Sequence, residues 1–204
     1  MLDSVLDAGL VDSPQKAREA AALFQTNNVD ALFIYVATYA LSHTVLPMAQ
    51  AVHGPIVILN LQPGPTLDYQ AFNALGDRGV MTGEWLANCQ ACSVPEIASV
   101  LNIAGIKYDI VSGWLEDGEA WARIAEWVQA LAAKEVIKNA RIGILGHYYA
   151  GMLDVYTDVT RLAAVFGSHF ELLEMDSLAA LRKRITDGSE QGQANIKAKR
   201  AQFE

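Results

Sequence analysis

Residues Pro55 to Leu61 form a short, nearly unbroken apolar run, Pro-Ile-Val-Ile-Leu-Asn-Leu. Such a run, bounded by turn-forming residues, is the pattern of a strand buried on both faces. A strand of that kind needs helices above and below it, which commits the chain to a layered α/β architecture. The rest of the sequence supplies the partners. Ala31 to Val36, Tyr108 to Val111, Arg141 to Leu145 and His169 to Glu174 are further short strand-like runs. Longer stretches with apolar residues at helical spacing separate them. Ser13 and Pro14 open the first, Ser13 as its cap and Pro14 in its first turn. Ala17, Ala20, Ala21 and Phe24 then recur at helical spacing, and Asn27-Asn28 closes it. Helices are also predicted over 41–52, 83–104 with an interruption at Pro95, 117–133, 152–166 and 178–185. In the 117–133 helix, Trp121, Ile124, Val128 and Leu131 are placed on one face. Gln62 to Asp68, with two prolines and a glycine, reads as a loop.

This alternation predicts an α/β fold of parallel sheets flanked by helices, in Rossmann-like or flavodoxin-like lobes. Residues 1–137 are expected to form an N-terminal α/β lobe and 138–188 the start of a second. Residues 189–204 are expected to be a polar tail or frayed helix. The opening segment, Val5 to Val11, is weak and runs straight into a helix, whereas an independent α/β domain usually begins with its own central strand. The second lobe stops after two strand–helix units. The expectation is therefore a fragment, incomplete at both ends.

Composition narrows the class. With 52% hydrophobic and 19% charged residues over 204 positions, the chain is expected to be globular. A formal net charge of −8 disfavours a nucleic-acid partner. The basic cluster at Arg182, Lys183, Arg184, Lys197, Lys199 and Arg200 reads as a solvated helix and tail. No apolar run approaches the roughly 20 residues that span a bilayer, so no membrane partner is expected. The first residues are acidic where a signal peptide is basic. Two cysteines are too few for a secreted disulfide scaffold, and cytoplasm is the expected location.

Few motifs carry chemistry. Cys89-Gln90-Ala91-Cys92 has redox spacing, but it falls inside a predicted helical stretch rather than at a helix start, and helix packing is the expectation. There is no second cysteine pair to complete a zinc site. The segment Gly143 to Gly151 lies between a strand and a helix, where open α/β sheets bind ligands. It lacks the lysine of a phosphate-binding loop, with Met152-Leu153 in its place. It presents His147, Tyr148 and Tyr149, whose ring faces and polar tips suit a sugar; a capped turn with packed tyrosines is the alternative. Gln62, at another strand end, can donate to and accept from hydroxyls, or simply face water. Asp77-Arg78 reads as solvated loop charge. Glu84 and Glu96 are tempting as an acid–base pair, but their spacing does not make them converge. His43 and His53 form no metal pair. The sequence thus yields no catalytic residue and no metal ligand.

Tyr35 to Ala40, Leu59 to Pro63, Gly83-Glu84-Trp85 through Gln90 to Glu96, and Gly146 to Tyr149 together resemble the N-terminal and central regions of the L-arabinose isomerase-like and L-fucose isomerase-like sugar isomerases. The resemblance covers most of residues 5–187 and rests on the order and spacing of these motifs. It implies a three-lobed α/β parent, cytoplasmic and homo-oligomeric. Such a parent interconverts an aldose and a ketose with a divalent cation, usually Mn²⁺, held by glutamates and histidines of a later segment. It implies no cofactor in this chain and no activity for the chain alone. Gln90 matches the glutamine of a family Gln-Ser-Ala-His run that reaches a neighbouring subunit's active site, and Ser93 stands in place of its histidine. The family's Gly-Asp-Asn-Met run aligns with Gly146 to Tyr149, and only the glycine agrees. The resemblance adds Gln90 and Ser93 to the strand-end residues Gln62, His147, Tyr148 and Tyr149 as sugar-facing candidates. A sugar-binding α/β module without chemistry is the alternative.

Overall fold

The structure, a computed structural model, describes residues 9–186 and 188–202. Residues 5–8 of the weak opening segment and Asp187 lie outside this range. The chain divides into two compact units, Met1–Leu131 and Ala132–Glu204.

The first unit begins with α1 (Pro14–Thr26), whose N-terminus is capped by the Ser13 hydroxyl accepting from the Lys16 amide at 3.3 Å, with Pro14 in the first turn. Next come β1 (Leu32–Tyr35), α2 (Ser42–Ala51), β2 (Ile56–Gln62), α3 (Tyr69–Ala74), α4 (Arg78–Ala87), α5 (Gln90–Ile103) and β3 (Asp109–Trp114). The helix α6 (Gly118–Lys138) follows and runs across the boundary between the units. The sheet is parallel, in the order β1-β2-β3, with Leu32 opposite Ile56 and Val57 opposite Asp109.

The pleat sends alternate side chains of β2 to two different cores. Ile56 and Ile58 join Leu32, Ile34 and Val36 of the β1 region under Val45, Met48 and Ala49 of α2 and Val94, Ile97 and Leu101 of α5. Val57 and Leu61 face the other way, with Val111, onto Ala120 of α6. Both faces of the sheet are therefore covered, which explains why β2 reads as continuously apolar. The buried stripe of α6 is Ala120, Ile124 and Trp127. Trp121 and Val128, expected on that stripe, are about half exposed. The indole of Trp121 donates to the Leu115 carbonyl at 2.7 Å, so its N–H bonds the preceding loop.

The helical stretch expected over 83–104 breaks elsewhere than predicted. The helix continues through Pro95, and the interruption falls at Asn88-Cys89, between α4 and α5. Packing of Val94, Ile97 and Leu101 holds α5 together across the amide that Pro95 lacks. The expected loop charge Asp77 is the N-cap of α4 and accepts from the Val80 amide at 2.9 Å. Gly54, just before β2, passes so close to Asp30 that a Cβ there would lie 1.8 Å from the Asp30 carbonyl oxygen.

The second unit contains β4 (Arg141–Leu145), a 3-10 turn at Leu153–Val155, α7 (Val159–Phe166), β5 (His169–Leu173), α8 (Met175–Thr186) and α9 (Glu190–Arg200). β4 and β5 pair in parallel. The helix expected over 152–166 is shorter, because Asp158 caps a new start at Val159. It ends on Gly167, whose φ of 74° suits a left-handed helix terminus. The expected tail forms α9, capped by Ser189. No helix among the described residues is long and apolar enough to cross a membrane.

Candidate functional site

In a parallel sheet all strand C-termini meet at one edge, and the loops that leave it are where ligands bind. In the first unit this edge carries the β1–α2 loop, Val36 to Leu41. The Val36 amide donates to the Leu59 carbonyl at 3.2 Å, so the loop leaves the sheet beside Asn60 of β2.

Four side chains of the α4–α5 region and the loop hold it in place. Thr38 donates its hydroxyl to the Leu86 carbonyl at 3.0 Å. The Gln90 amide donates to the carbonyls of Ala37, at 3.3 Å, and Ala87, at 2.8 Å. The Ser93 hydroxyl accepts from the Ala40 amide at 2.8 Å. The Glu96 carboxylate accepts from the Ser42 amide at 3.1 Å and from the Ser42 hydroxyl at 2.5 Å. Positions 90, 93 and 96 are spaced three apart, which puts them along one side of α5. Gln90 and Ser93 are fully buried. The Gln90 side-chain nitrogen and the Ser93 hydroxyl engage backbone, so their effect on a ligand passes through the loop they position, whereas the Gln90 side-chain oxygen is buried with no hydrogen-bond partner among the described residues. Glu96 serves the first turn of α2, and Glu84 is exposed, so the two carboxylates form no acid–base pair.

The loop and β1 line a cleft of about 450 Å³. Its walls are largely apolar, from Phe24, Val45, Met48 and Ile97, and its rim carries Tyr35, Thr38, Tyr39 and His43. All four are exposed, and of these the Thr38 hydroxyl is already engaged with the Leu86 carbonyl.

Beside the loop, Asn60 and Ser112 face each other across β2 and β3, and the Asn60 amide donates to the Ser112 hydroxyl at 3.0 Å. The Asn60 side-chain oxygen is buried and has no hydrogen-bond partner. A buried carbonyl without a donor costs about 1–3 kcal/mol, and a donor could reach this one only if the side chain turned outward. Gln62 ends the same strand, half-buried, opposite Trp114. Sequence reasoning passed over Asn60. Its signal was the single amide inside an otherwise apolar strand, where a polar group needs a partner.

His147, Tyr148 and Tyr149 belong to the second unit and are all exposed after β4. Tyr148 packs edge-on against Tyr156, with ring centroids 5.4 Å apart. Three of the six expected sugar-facing residues thus lie in each unit, and the first unit places Gln90 and Ser93 together under one loop.

Among the described residues no three His, Cys, Asp or Glu side chains lie close enough to share an ion. His43 lies in the first turn of α2 and His53 just beyond its other end. Among ionisable groups, Glu171 on β5 pairs with Arg141 on β4, which holds its carboxyl below the usual glutamate value through a hydrogen bond and charge. Burial, followed by the neighbouring Cys92, raises the Cys89 thiol. Comparison with known proteins gave neither a matching family model nor a matching curated protein.

Proposed function

We propose that this chain supplies sugar-binding surface to an aldose–ketose isomerase of the L-arabinose/L-fucose type, and is inactive by itself. The observation that carries the reading is the uncharged hydrogen-bonding set at the sheet's C-terminal edge. Asn60 holds an unpartnered acceptor, Ser112 a hydroxyl, and Gln62 both a donor and an acceptor. A polyol offers donors and acceptors in the same mixture and has apolar C–H faces, which suit the largely apolar cleft along β1 with Tyr35 and Tyr39 among its lining residues. The ordered motifs of Tyr35 to Ala40, Leu59 to Pro63 and Gln90 to Glu96 support the sugar-isomerase class. In this reading Gln90 and Ser93 are positioning residues for the loop. The exposed aromatics Trp85 and Trp121 give the first unit apolar surface suited to oligomer contacts. The carbonyl chemistry, and the Mn²⁺ that assists it, belong to the parent enzyme, and no step is assigned to residues of this chain.

The test is thermal stabilisation of the chain by a panel of pentoses and 6-deoxyhexoses, with and without Mn²⁺. A sugar-selective rise in melting temperature is expected, and it should shrink in Asn60→Leu. No response to any sugar would remove the proposal. A second reading, a sugar-binding module without chemistry, is favoured by the absence of charged groups from the Asn60, Ser112 and Gln62 set. Sugar binding that is indifferent to Mn²⁺ in the longest natural form of the protein, together with no turnover there, would select it.

A further inference from the structure

Cys89 and Cys92 stand at a place the sequence did not assign to them. The α4–α5 break makes Cys89 the N-cap of α5 and Cys92 the third residue of its first turn. The Cys92 and Ser93 amides both donate to the Cys89 carbonyl, at 3.0 and 3.2 Å, which fixes that turn. No side-chain capping bond holds Cys89, and its φ of −88° and ψ of 14° lie outside the helix proper. Residues three apart on a helix bring their Cβ atoms to about 5–6 Å, and a disulfide asks for about 3.5–4.5 Å. Joining the two sulfurs would require Cys89, which no capping bond holds, to rotate toward Cys92. The two thiols differ in access: Cys89 is 5% exposed, whereas Cys92 faces solvent.

We propose that Cys89 and Cys92 are a reactive dithiol, which a small-molecule disulfide oxidises to a bond that staples the first turn of α5. Cys92, the exposed one of the pair, reacts first. Its thiolate attacks one sulfur of the small disulfide. A Cys92–S mixed disulfide forms, the original S–S bond breaks, and one thiolate leaves and takes a proton from water. Cys89 then loses its proton to water and attacks the Cys92 sulfur. The Cys89–Cys92 bond forms, the mixed disulfide breaks, and the second small thiol is released. The protein gives up two electrons, and one small disulfide becomes two thiols. Burial shields Cys89 from solution and raises its thiol, so loss of its proton limits the second step; the shared helical turn keeps it near the sulfur it must attack. The inference is independent of the sugar reading.

The probe is oxidised glutathione, applied to the native full chain, with free thiols blocked by alkylation at intervals and the products read by intact mass and peptide mapping. The wild type is expected to lose two hydrogens and both alkylatable thiols, passing through an early glutathione adduct on Cys92. Cys89→Ser should stop at that adduct, and Cys92→Ser should react about tenfold more slowly or worse. Peptide mapping of the wild type at early times locates the first adduct even where a variant folds poorly. A first adduct on Cys89, a stable glutathione adduct on the wild type, or two thiols still alkylatable after oxidation would each overturn the proposal.

Discussion

Ser93 shows how a single hydroxyl can organise a loop. It is buried and gives the Ala40 amide its partner. Ser93→Ala would leave that amide without one, and the expected loss is about 1–2 kcal/mol in a denaturant titration. The same change should weaken sugar-dependent stabilisation without touching the ligand. Ser93→Thr keeps the oxygen and should retain part of both. A loss of stability with sugar response intact would separate the loop from the site. Ser93 and Gln90 came to notice in the sequence through their motif. Their task there was illegible, because the partners, Ala37 and Ala40, lie about fifty positions away and are backbone atoms. Asn60 was open to notice, since an amide between the apolar residues Leu59 and Leu61 of β2 is a group in need of partners.

At the level of elements, β2 is the best-read feature, since burial on both faces leaves a local signature that survives without knowledge of its neighbours. The ends of α1 were equally readable, from Ser13, Pro14 and Asn27. The helix over 83–104 was not, because Pro95 is a strong local signal that tertiary packing overrides, while the break at Asn88-Cys89 carries no strong breaker. The misplaced stripe of α6 has a related cause. Trp121 and Val128 are as hydrophobic as Ile124 and Trp127, and the choice between the two faces was made by Val57 and Val111, remote in sequence. Asp77 gives a test at this scale. As N-cap of α4 it should be worth about 1 kcal/mol, so Asp77→Ala is expected to lower the unfolding free energy from a denaturant titration by that amount, and Asp77→Ser to restore most of it.

Across the whole molecule, burial is uneven. Every hydrophobic residue classed as buried among those described lies at or before Ala120, and beyond that point only Ser168 is buried. Local opening is cheapest where few apolar contacts must be broken. Amide hydrogens of β4 and β5 are therefore expected to exchange well before those of β2, as measured by hydrogen–deuterium exchange; equal protection would contradict this. Acid should act on the second unit as well. Because Arg141 holds the folded Glu171 pKa below its ordinary value of 4.5, the pair's contribution is complete above that value and is lost as pH falls below it through the lowered folded pKa. Arg141→Gln should move the Glu171 titration back up, as followed by NMR, and should flatten the acid limb of stability. All four tryptophans, at 85, 114, 121 and 127, belong to the first unit, whereas tyrosines occur in both. The protein thereby carries its own optical label: indole emission tracks the melting of one half alone, and circular dichroism, which sees every helix, supplies the other half by difference.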